Sequence, residues 1–168
     1  DHALQLRAVQ HLLTKYQSLS EKNKKILSDV KLYLIGSCRD EGDQSRVKIL
    51  QELAKELEVD DHVEFKLNAP FSDLCRWLGE ATAGLHTMWN EHFGIGVVEM
   101  QTAGCIPIAH DSAGPRMDIV VPNGGVATGL LAETPEEYAD AMAYVLGLDD
   151  VGDFFFASFI NSGLFLLE

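Results

Sequence analysis

The sequence predicts an α/β fold with a doubly wound parallel sheet. Two observations carry that expectation. Short apolar runs alternate with longer segments of helical periodicity along the 168 residues. The connections between successive apolar runs are too long for hairpins, which leaves helical crossovers. In such sheets ligands bind beyond the carboxyl ends of the strands.

The elements follow in order. Leu6, Val9, Leu13 and Tyr16 are spaced three, four and three apart, an apolar stripe on a first helix. "VKLYLIGS", 30–37, is a short apolar run ending in glycine and reads as a buried strand. In 43–59, Val47, Leu50, Ala54 and Leu57 repeat the helical spacing among charged residues, so this helix is amphipathic. "HVEFKL" reads as strand, and 70–81 as a helix opening after Pro70, with Trp77 on its core side. "AGLHTM", 83–88, is strand, and "GVVEMQTAG" is a helix ending at Gly104. "IPIAH" and "TGLLA" are strands. The last helix has explicit boundaries: Thr134 as N-cap, Pro135 at the first position, Glu137 completing a capping box, and Gly147 as the stop. One domain therefore covers 1–150. Residues 151–168 stand apart as an apolar tail with five phenylalanines, too interrupted to span a bilayer and expected to pack on the domain or self-associate.

Composition narrows the function. A formal charge of -13 argues against a nucleic-acid partner, which would need clustered Lys and Arg. Cys38, Cys75 and Cys105 are odd in number and far apart, with no C-x-x-C pair. Neither a disulfide framework nor a zinc site is suggested, and a reducing compartment is the simpler reading. His86 and His92 lack a third ligand at suitable spacing, so no metal is expected. No G-x-G-x-x-G fingerprint is present either.

"NEHFGIGVVE", 90–99, falls where the architecture puts ligands: a loop after a strand, then the start of a helix. Gly94 and Gly96 let backbone approach a ligand closely. The free N–H groups of the helix start suit an anion, a diphosphate above all. Glu91 and Glu99 repel phosphate but accept from neutral hydroxyls, at about 1.5–3 kcal/mol per charge-assisted bond. Acceptor, donors, acceptor matches sugar hydroxyls, diphosphate and ribose hydroxyls in turn. Two glutamates at this spacing also arise by chance, and a purely structural pair stays open on the residues alone. Trp89 borders the same loop and offers a ring for stacking.

"EHFGIGVVEMQTAGCIPIAHDSAGP" resembles the E-x7-E signature of retaining glycosyltransferases of family 4, with order and spacing intact over about 25 residues. "LIGSCR" and "VEFKLNAPF" extend the likeness, which runs from residue 1 to about 148. Within the family it is most similar to the branch that transfers α-1,2-mannose from GDP-mannose to a dolichol-diphosphate-linked oligosaccharide in N-glycan precursor assembly. The resemblance implies a Rossmann-like sheet, the carboxyl-terminal, donor-binding half of a GT-B glycosyltransferase. It implies Glu91 as the catalytic-site carboxylate on the donor sugar and Glu99 on the ribose. Backbone of Phe93, Gly94 and Ile95 would face sugar and diphosphate. Gly36 and Ser37 would line the nucleotide, Leu67 and Asn68 would meet the base, and Arg39 would reach a phosphate. No cofactor or metal is implied beyond the GDP-mannose donor. The partners implied are that donor and a lipid-linked acceptor at the cytosolic face of the endoplasmic reticulum membrane, with membrane contact through other parts of the enzyme.

There are departures. "EMQTAG" stands for a common "EAMAAG", and "SAGP" for a double glycine, neither of them expected to touch the presumed contacts. The family's Gly-rich first strand with its Arg and Lys, and its acceptor-binding half, have no counterpart in residues 1–168, so the chain alone is expected to be inactive. Two alternatives stay open: a family 4 transferase using a UDP-sugar, and a non-catalytic interaction domain of the same fold.

Overall fold

The computed structural model describes residues 1–151. Helix α1 spans His2–Tyr16 and α2 Glu21–Asp29, followed by strand β1 at Leu32–Gly36 and α3 at Glu41–Glu56. Then come β2 (Val63–Leu67), α4 (Phe71–Glu80), β3 (Ala83–His86), α5 (Ile95–Thr102) and β4 (Ile106–His110). A π-helical turn at Pro115–Ile119, β5 (Leu130–Ala132) and α6 (Pro135–Val145) complete the described chain. Every strand pairing is parallel, as the alternation of apolar runs and helices predicts.

The core lies where α1 and α6 meet the sheet. Leu6, Val9, Leu12 and Tyr16 of α1 are buried with Ile108, Leu130, Tyr138 and Ala141. Each buried Leu or Ile contributes about 1.5–3 kcal/mol. The seam includes Leu12 rather than the expected Leu13, which is only partly buried. The predicted capping box is present: Glu137 N–H donates to Thr134 Oγ1, and Thr134 N–H donates to Glu137 Oε2. The second helix was not legible from periodicity, since only Ile26 and Leu27 are apolar in it. It starts on Ser20, whose hydroxyl accepts from Asn23 N–H. The buried Asn23 amide then ties the turn to the chain beyond α6, donating to Tyr16 O and Asp149 O and accepting from Asp149 N–H.

The strands form two sheets, β1-β2 and β3-β4-β5, where one continuous sheet is expected. Leu32 to Gly36 stand opposite Val63 to Leu67, and Ala83 to His86 opposite Ile106 to Ala109. Each of β1 and β3 keeps one unpaired edge among the described residues. The Gln5 side chain of α1 supplies one missing donor, giving a 3.2 Å hydrogen bond to Leu85 O. Helix α4 crosses from β2 to β3 and has no buried residue. Trp77 is therefore half-buried rather than core, edge-on to Tyr33 at 5.9 Å with Lys66 and Arg76 over its ring. A crossover above a split sheet has only the two margins to pack on. From residue 152 onward, the expectation for the 151–168 tail lies outside the described residues; Val151 itself packs on the core.

Candidate functional site

The sequence-predicted residues gather in two groups, both at carboxyl ends of parallel strands. Gly36 ends β1 and is the register partner of Leu67, the end of β2. Asn68 follows at φ 53°, a left-handed conformation that asparagine tolerates well. Its N–H donates to Gly36 O, its Oδ1 accepts from Cys38 N–H at 2.8 Å, and its Nδ2 donates to Cys38 O at 3.0 Å. Asn68 thus clamps the turn that carries exposed Gly36 and Ser37, with exposed Leu67 beside it. Arg39 sits at the edge of this group but is engaged elsewhere: its Nε lies 3.1 Å from Asp43 Oδ2, with the side chain otherwise in solvent.

The second group surrounds the loop after β3. Glu91 is partly buried, whereas Phe93 and Ile95 are exposed. Gly94, at φ 96°, is the left-handed residue from which α5 starts. Unlike α1, α2, α3 and α6, α5 has no side chain capping its first N–H groups. Val97 N–H donates to Gly94 O at 2.9 Å, which leaves the N–H groups of Ile95 and Gly96 for a ligand or water. Glu99 is exposed one turn beyond Ile95, on the same helix face.

The turn after β4 fixes this loop. Gly114 N–H donates to Glu91 O at 3.0 Å, and Asn90 N–H donates to Ser112 Oγ at 3.0 Å. Ser112 Oγ in turn lies 3.0 Å from Nδ1 of the buried His110. A Cβ at Gly114 would fall 2.5 Å from the carbonyl oxygens of His92 and Phe93. The "SAGP" segment therefore touches the loop directly, contrary to the expectation from sequence. Ala113 beside it has φ 41°, a conformation that suits the glycine it replaces. Gln101 also acts structurally: its Nε2 donates to Thr128 O and Ile119 O, tying α5 to the chain entering β5.

His86 was missed as a partner of this site. Its Nε2 lies 3.9 Å from Glu91 Oε2, with the side chains 16% and 26% exposed. Burial holds its pKa below the usual 6.5, Glu91 and the backbone of His86 pull it partly back, and His110 pushes it down. The available signal was a histidine in an apolar strand five residues before a loop carboxylate. A cavity of about 620 Å³ lies at the opposite ends of β4 and β5, lined by Ile106, Pro107, Leu130 and Tyr144 among others. None of the predicted site residues lines it. Among the described residues, no group of three or more His, Cys, Asp or Glu is placed to hold a metal ion, and no helix is long and apolar enough to cross a membrane.

Comparison with known proteins bears on family and fold. Residues 3–150 match the family model described as glycosyl transferases group 1. The chain is 51% identical over 148 residues to a mouse protein named GDP-Man:Man(3)GlcNAc(2)-PP-Dol alpha-1,2-mannosyltransferase, covering 88% of this chain and 29% of the relative. The chain thus spans under a third of that relative's length. Among solved structures it is similar to a glycosyltransferase from Rickettsia africae, with TM-score 0.63 and 20% identity over 94% of this chain and 38% of the other. It is also similar to the Anabaena protein HepE in complex with UDP, with TM-score 0.59 and 22% identity over 95% of this chain and 48% of the other. At those identities the two structures speak to fold alone.

Proposed function

Because the chain belongs to the group 1 glycosyl transferase family, we propose that it is the donor-binding part of a retaining α-1,2-mannosyltransferase that uses GDP-mannose. The observation that carries the reading is the second group: Glu91 held beside the uncapped start of α5, with Glu99 one turn further on. Glu91 accepts from sugar hydroxyls and Glu99 from ribose hydroxyls. The N–H groups after Gly94 meet the diphosphate and stabilise charge on the departing GDP. Gly36, Ser37, Leu67 and Asn68 border the nucleoside. Arg39 reaches a phosphate only by leaving Asp43, so its contribution to affinity is small.

The acceptor is a dolichol-diphosphate-linked oligosaccharide, a reading that the names of the relatives support, and the reaction takes place at the cytosolic face of the endoplasmic reticulum membrane. Its site lies in another part of the enzyme, and the chain alone transfers no sugar. The domain covers 1–150, and a strand from the rest of the polypeptide completes the sheet between the free edges of β1 and β3. The split sheet and the thinly packed α4 support that completion.

Titration of the intact enzyme with GDP and UDP tests the reading. GDP is expected to bind at least about ten-fold more tightly, about 1.4 kcal/mol. Tighter UDP binding would point to a UDP-sugar transferase, and no nucleotide binding to a non-catalytic domain.

A further inference from the structure

His86 is a polar side chain beside Glu91 that the proposed function leaves without a task. It ends β3, and its backbone carbonyl accepts from Tyr138 Oη at 2.9 Å, which fixes the strand end against α6. The ring lies under the donor loop. A Cβ at Gly96 in the first turn of α5 would be 4.0 Å from its Cδ2. Its Nε2 is 3.9 Å from Glu91 Oε2, while Nδ1 is buried with no hydrogen-bond partner. An imidazole buried with one nitrogen unpaired is costly, and an apolar residue would fill the place without that cost.

We infer that His86 is a positioning residue for Glu91: a neutral ring leaves the carboxylate free for the donor's sugar hydroxyls, and a protonated ring takes it as counter-ion. The inference rests on Glu91 being the sugar-binding carboxylate. At 3.9 Å a neutral Nε2–H is beyond hydrogen-bond reach, so both carboxylate oxygens stay available. Once charged, the ring attracts the carboxylate across a half-buried gap where water screens poorly. Two titratable side chains act on the ring, Glu91 from the loop and His110 from β4, and Tyr138 of α6 holds the backbone carbonyl behind it. Glu91 is the charged group that favours the protonated form, with a smaller contribution from the backbone of His86 itself. Burial works against it, so the ring is neutral at pH 7 and charges only below 6.5.

The test compares GDP and GDP-mannose affinities of the intact enzyme by calorimetry between about pH 5 and pH 8, spanning the imidazole titration. The ratio of the two affinities isolates the sugar. In the wild type the advantage of GDP-mannose should fall about ten-fold on acidification. In His86→Gln, which cannot be charged, it should stay at its neutral-pH level. Proton NMR of the His86 ring in this chain supplies a ligand-free readout, with a midpoint that moves down in Glu91→Gln. A midpoint unmoved by Glu91→Gln overturns the inference. So does a GDP-mannose advantage that vanishes in Glu91→Gln yet ignores both pH and His86→Gln. An advantage that survives Glu91→Gln overturns the sugar-binding reading of Glu91, and the inference with it.

Discussion

Gly114→Ala adds one methyl group where the structure has no room for it. The backbone itself would accept alanine, since φ is −55°. The new Cβ, however, would lie 2.5 Å from the carbonyl oxygens of His92 and Phe93 and 2.6 Å from Phe93 Cα. Ordinary contact is about 3.5 Å, so something must move by about 1 Å. All three neighbours are backbone atoms, and no rotamer change relieves the clash. Overpacking of this kind costs about 1–3 kcal/mol, which for a chain of this size lowers the melting temperature by about 2–12 °C. The displaced segment carries Glu91, whose carbonyl accepts the Gly114 N–H. A shift of about 1 Å in a substrate-positioning group can reduce turnover about 100-fold. Thermal melting followed by circular dichroism reads the first effect, and mannosyl transfer by the intact enzyme reads the second. A variant with wild-type melting temperature and turnover would refute the close packing of the 112–115 turn on the donor loop.

Ala113→Gly, next door at φ 41°, should raise stability by up to about 1 kcal/mol in the same melts, because it removes left-handed strain. Asn68→Ala loses both side-chain bonds to Cys38 and should destabilise by about 1–2 kcal/mol, with nucleotide affinity falling as well. Asp43 is held below its usual 3.8 by the Arg39 backbone N–H and guanidinium, with Arg46 adding to it. Its contribution is present above that value and lost as pH falls through the lower folded value, so Asp43→Asn should flatten the acid limb of the stability profile. Burial pushes the Cys105 thiol up to about 11. Alkylation at pH ~8 should therefore reach exposed Cys75 in the native protein and Cys105 only after unfolding.

Much of the fold was legible because periodicity and caps are local. The apolar runs at β1 and β4, the stripe of α1 and the Thr134–Glu137 box each follow from a few neighbouring residues. The helix from Glu21 was not legible: its stability comes from a long-range anchor, Asn23 to Asp149, rather than from an apolar face. Strand partners are set by tertiary contacts, so the split between β1-β2 and β3-β4-β5 left no mark in the sequence. Trp77 misled for the same reason, as its helix crosses that split. In the site, the glutamates and glycines of 91–99 were readable from chemistry and order. The grip of Ser112 and Gly114 on the loop was not, because those residues are twenty or so positions away and their bonds, one through a hydroxyl and one through a backbone N–H, are made to the loop's backbone. His86 reads as one more residue of an apolar strand until the ring is seen beside Glu91.

The central claim is that Glu91 and Glu99 recognise different parts of one ligand, and affinities for GDP and GDP-mannose in the intact enzyme test it most directly. Glu99→Gln should weaken GDP binding by about five- to thirty-fold, or roughly 1–2 kcal/mol. Glu91→Gln should leave GDP affinity at the wild-type value, because GDP has no mannose, and should weaken GDP-mannose. If both substitutions leave both ligands untouched and only lower the melting temperature, the two carboxylates are structural and the donor-site account fails.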